Sequence, residues 1–128
     1  MDLSKLNTAE LSESGVEMQL RHLVTGELLD AWITLCGQDS KVYRQKRREL
    51  RSKSMQAKVA DAVELSEQHA MEVRVACTLG WRGLDEGNKP IKFSQEKALE
   101  IYTDPGYQWI VDQVDRFIGD RANFLPKA

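Results

Sequence analysis

The chain has 128 residues, 41% of them hydrophobic and 30% charged, with a formal net charge of −2. That is the balance of one folded domain, able to bury roughly two-thirds of its unfolded surface, and it excludes a disordered or fibrous polymer. No apolar run approaches the ~20 residues of a membrane-spanning helix, and the opening "MDLSKLNTAELSESG" lacks the basic and apolar stretches of a secretory leader, so an intracellular protein is expected.

Residues 1–14 are polar and read as a flexible N-terminal lead, ahead of a single domain over 15–124 and a C-terminal tail at 125–128. "VEMQLRHL" alternates, with Val16, Met18 and Leu20 on one side and Glu17, Gln19 and Arg21 on the other, the pattern of a half-buried strand. "VTGE" supplies a short turn around Gly26, and "LLDAWITLC" alternates again, with Leu29, Ala31, Ile33 and Leu35 facing one way. These runs predict a two-stranded hairpin between about Val16 and Cys36. A lone hairpin is marginal in water, so its apolar face needs helices or another copy. The fold class expected is α+β, an N-terminal β-hairpin followed by a mainly α-helical body.

Gly37 ends the second strand, and Asp39 or Ser40 can cap the helix that follows. No glycine or proline interrupts Lys41 to Leu79, which predicts one long helix, or two joined by a kink between Ser52 and Lys58. In its second half Ala62, Leu65, His69, Val73, Ala76 and Cys77 recur at three- and four-residue steps. After the loop "GWRGLDEGNKPIKFS", Ser94 can cap a short helix over 95–103 with Ala98, Ile101 and Tyr102 facing inward. Asp104 and Pro105 then start a last helix over 105–118, whose stripe is Tyr107, Ile110, Val111, Val114, Phe117 and Ile118.

The glycine-rich loop is the one stretch that invites a phosphate. A phosphate-binding loop needs Lys-Ser or Lys-Thr opening a helix, whereas Lys89 is followed by Pro90. The loop reads instead as a corner, with Trp81, Leu84, Ile91 and Phe93 inserted between helices and Gly83 and Gly87 turning the backbone; a partner-binding loop is the other reading. Cys36, Cys77, His22 and His69 stand apart from one another, as buried thiols and ordinary histidines rather than a metal set. No GxSxG, HExxH or comparable motif occurs. The expectation is a non-enzyme without cofactor or metal.

Charge is the loudest signal. Residues 1–39 carry two basic and seven acidic side chains, residues 41–58 eight basic and one acidic, and residues 59–128 eight basic and twelve acidic. The basic segment could be a solvated helix, a protein contact or a nucleic-acid surface, the last binding with steep salt dependence. Beyond Tyr43 it has no aromatic platform for bases. The second hairpin strand is apolar on both faces, with Leu28 and Trp32 on the side opposite Leu29, and such a strand asks for cover on both sides. Together with the charge split, this predicts a weak homo-oligomer with Leu28, Trp32, Arg47 and Arg48 at the contact. Trp109 lies beside the last helix's stripe, and with Phe124 and Leu125 it is a candidate for binding a partner.

The order of these elements resembles the tail assembly chaperones of long-tailed (siphovirus) bacteriophages. "TGE" in a hairpin, "GQDSKVYRQKRRE" opening a basic helix, and "GWRGLDEGNKPIKFSQEKALEIYTDPGYQWIVDQVDRFIGDRANF" closing the chain carry the likeness, over roughly Gly15 to Phe124. The resemblance implies a non-enzymatic protein of the host cytoplasm, absent from the mature virion. It would bind the helical tape-measure protein and promote assembly of the tail tube around it. It also implies a longer product, made by ribosomal frameshifting, whose extension engages the tail tube protein. The competing reading is a small nucleic-acid-binding protein using the basic helix 41–58.

Overall fold

The computed structural model describes residues 1–55 and 62–127. The fold is α+β. Strand β1 (Val16–Arg21) pairs antiparallel with β2 (Leu28–Leu35), and β2 pairs antiparallel with β3 (Thr78–Arg82). The two-stranded hairpin expected from the alternation is therefore two-thirds of a three-stranded sheet in the order β1-β2-β3. One sheet face is buried, carrying Met18 and Leu20 from β1 and Ala31, Ile33 and Leu35 from β2. Helices α3 (Ala62–Cys77), α4 (Gln95–Thr103) and α5 (Gln108–Gly119) join it in the core through Cys77, Ala98, Ile101, Tyr102, Ile110, Val111, Val114 and Ile118.

The third strand corrects the helix expected up to Leu79. α3 stops at Cys77 because the carbonyl freed at its end is taken by the Cys36 backbone N–H at 2.9 Å, just beyond β2. Thr78 completes the junction: its hydroxyl lies 2.8 Å from both the Arg74 carbonyl and the Tyr102 hydroxyl, all within the core. Trp81 is then not a plug between helices. It lies opposite Ile33 in the sheet, half-buried, with its ring edge-on to Phe93 at 4.8 Å and its indole N–H donated to the Ile91 carbonyl at 2.8 Å. The loop after it folds into a small ribbon, β4 (Asp85–Glu86) with β5 (Lys89–Pro90), turned by Gly87 at φ 64°. Gly83 has φ 81°, and a Cβ there would run into the Asp30 carbonyl.

Residues 1–14, expected as a flexible lead, hold a 3-10 turn (Leu3–Leu6) and helix α1 (Ala9–Ser14). Polar ties anchor α1. The Gly37 N–H donates to the Ser12 carbonyl at 3.1 Å, the Thr8 hydroxyl to Asp39 at 2.6 Å, and the Lys41 N–H to Glu13 at 2.9 Å. Helix α2 (Lys41–Ser54) is capped by Ser40, not Asp39. The kink foreseen between Ser52 and Lys58 lies partly outside the described residues. At the C-terminal end Pro105–Tyr107 is a 3-10 turn ahead of α5, so Tyr107 leaves the expected inward stripe and is exposed. No helix among the described residues is long and apolar enough to cross a membrane.

Candidate protein-binding groove

One concavity outside the core is a groove of about 450 Å³ at the Leu29 end of β2. Four parts of the chain build it. Leu20, Leu29 and Ala31 come from the sheet, Leu84 and Ile91 from either side of the small ribbon, Ile101 from α4, and Trp109 and Ile110 from α5. The ribbon holds its own wall closed, since the Ile91 N–H donates to the Leu84 carbonyl at 2.8 Å. The rim is acidic, with Asp85, Glu86, Glu100 and Asp104, and it includes one lysine. That lysine, Lys97, lies 3.0 Å from Glu100 and 3.6 Å from Glu86, and its hydrogen bond to Glu100 raises its pKa above the ordinary lysine value. An apolar floor inside a carboxylate rim suits an amphipathic helix whose apolar ridge is flanked by Lys or Arg.

A second cavity, of about 500 Å³, lies where α2, α3 and α5 meet, walled by Tyr43, Leu50, Val73 and Ile118. Arg74 lines it while holding Asp115 in a two-pronged ion pair, Nε at 2.7 Å and Nη2 at 2.8 Å. On the outside of α2, Arg44, Arg47, Arg48 and Arg51 gather with Arg121 around a shallow basic hollow. Arg121 is bound to Asp39 at 3.1 Å. The Asp39 carboxyl is held below its ordinary value, first by the Thr8 hydroxyl and then by Arg121.

The residues singled out from sequence fall in different places. Trp109 is half-buried and lines the groove. Phe124 is fully buried, edge-on to Phe117 at 5.6 Å, so it serves the core and not a partner; Leu125 beside it is half-buried. Leu28 is exposed. Trp32 already has an intramolecular cover: the Arg82 guanidinium lies 3.8 Å over its ring and is held there by Glu17 at 2.7 Å, which lowers the Glu17 pKa. Arg47 donates to the Tyr43 hydroxyl at 3.1 Å, and Arg48 points to solvent. Trp109, Leu28 and Arg48 are thus not brought to one site.

Sequence reasoning missed the groove as an assembly. Its wall residues were legible one by one, but Leu84 and Ile91 were assigned to a helix corner. The signal that could have found it is the pair of apolar residues bracketing "DEGNKP", a ribbon that must rest its apolar ends on something. His22 finds a local use, its Nδ1 accepting from the Val24 and Thr25 N–H groups in the β1–β2 turn. Among the described residues no three His, Cys, Asp or Glu side chains gather to hold a metal. Comparison with protein-family models, with characterised proteins and with solved structures finds no match to this chain.

Proposed function

We propose that this chain is a non-enzymatic tail assembly chaperone of a long-tailed bacteriophage, which binds the tape-measure protein in the host cytoplasm and is left out of the finished virion. The observation that carries the reading is the open groove at Trp109, with an apolar floor and a carboxylate rim. A tape-measure chain presents long apolar helical stripes that aggregate when bare, and a groove of this kind takes one such stripe. A frameshift-extended form recruits the tail tube protein to the same complex. The reading of the partner rests on the resemblance in the order of the elements, and the apolar, acid-rimmed groove is compatible with it.

The test is co-expression with the tape-measure protein encoded in the same genome. Wild-type chain is expected to keep the tape-measure protein in the soluble fraction. Leu84→Glu, which puts a charge on the groove wall, is expected to lose that effect while melting within a few degrees of wild type. An insoluble tape-measure protein in the presence of wild type, or equal rescue by the folded variant, removes the reading.

A further inference from the structure

The groove has a second amphipathic helix available to it, on another copy of the chain. Helix α2 places Arg44, Arg48, Arg51 and, just past its end, Met55 at steps of four, three and four residues, within one narrow arc of its surface. The ridge is exposed, although its arginines border the basic hollow with Gln38 and Arg121, and Arg51 also borders the cavity where α2, α3 and α5 meet. Leu50, the buried residue of α2, is on a different side, and Met55 is 83% exposed. Among the described residues Arg44, Arg48 and Arg51 make no ion pair, whereas the neighbouring Lys46 and Lys53 are both engaged by Glu49. The ridge is thus a row of cations without direct ion pairs among the described residues, Arg44 feeling Asp39 nearby, and it ends in an apolar knob. The groove offers the complement, with Glu86 and Glu100 on the rim sharing the single cation Lys97 between them, and Leu84 and Trp109 below.

The groove and the start of α2 lie at opposite ends of β2. The groove opens at the Leu29 end of β2, and α2 begins a few residues beyond the Leu35 end. The eight residues of β2 separate those ends by about 25 Å. A neighbouring copy meets no such restriction. We propose that in the free protein the groove is covered by the α2 ridge of a second copy, with Met55 seated toward Trp109 and Leu84 and the arginines against Glu86 and Glu100. A sulfur against an indole edge and cations against carboxylates are both favourable in that arrangement. The joint is head-to-tail, so each joined pair keeps one free groove and one free ridge, and association runs on with concentration instead of stopping at a dimer. The proposal deepens the reading of the groove as a helix-binding site, since a client helix and a second copy then compete for it. Its test uses this chain alone, so it stands or falls separately from the tape-measure reading.

The experiment is sedimentation velocity over a wide concentration range on four proteins at low salt. Wild type is expected to associate increasingly with concentration. Arg48→Glu with Arg51→Glu, and separately Glu86→Lys with Glu100→Lys, are each expected to weaken association by about tenfold or more. All four substitutions in one chain are expected to restore it, because ridge and rim have exchanged signs. All the substituted side chains are exposed, so circular dichroism should show each variant folded. A wild type that stays monomeric overturns the proposal, as does a pair variant that associates like wild type, or a four-fold variant that fails to recover. Salt-sensitive binding of labelled duplex DNA by wild type, lost in Arg48→Glu with Arg51→Glu while self-association is unaffected, would assign the ridge to nucleic acid and also overturn it.

Discussion

Arg74 is 8% exposed and clamps Asp115 with two short hydrogen bonds, yet its place in a helical run marks it only as one more solvent-facing cation. Hydrogen bonds to charged groups contribute more than neutral ones, but half of the Asp115 side chain remains in water, which limits the gain. Arg74→Ala is expected to lower unfolding stability by about 2 kcal/mol in urea titrations. Asp115→Ala should cost at least as much, because it leaves a nearly buried guanidinium without its counter-charge. Ser12 gives the opposite case. Its buried hydroxyl has no hydrogen-bond partner among the described residues, so Ser12→Ala is expected to leave the melting temperature unchanged or raise it. Asp39 adds a pH dependence of known sign. Its folded-state pKa is depressed below 3.8, so the native state binds fewer protons than the unfolded chain. Its contribution is complete above about pH 5 and disappears as pH falls through the folded value. Thermal melts between about pH 5 and pH 2 should show a steeper loss of stability in wild type than in Asp39→Asn.

At the scale of elements, β3 shows what local pattern can and cannot carry. β1 and β2 were legible because each buries alternate residues on one face, and period-two alternation survives any tertiary context. α4 was legible because Ser94 accepts from the Lys97 N–H and Thr103 ends the helix before Asp104. The strand Thr78–Arg82 was not, because it follows a helix with no glycine or proline between them and is only five residues long. Its strand character comes from pairing with β2, a contact more than forty residues away along the chain. The groove was obscured for the same reason, since its four contributing segments meet only once that sheet exists. Trp81 now has a defined duty: it covers the outer end of β3 and ties the ribbon to it through Ile91. Because it is half-buried, Trp81→Ala is expected to cost about 3 kcal/mol, the low end for a core aromatic. Gly83→Ala should be destabilising by more than about 1 kcal/mol, since it forces a left-handed backbone on alanine and pushes the ribbon off the Asp30 carbonyl. Both changes should also loosen the Leu84 and Ile91 wall of the groove.

For the whole molecule, the sheet and helices α3, α4 and α5 form one body with an acid-rimmed apolar groove at one end of β2 and the basic helix α2 beginning past the other. The segregation of charge along the sequence becomes a segregation in space. The most direct measurement is backbone amide hydrogen exchange, followed by mass spectrometry, on the soluble complex with the tape-measure protein. The account predicts added protection at residues 28–31, 83–91 and 101–110, where the groove is built, with α2 no more protected than in the free monomer. Protection confined to α2, with the groove segments exchanging as they do in the free protein, would contradict it.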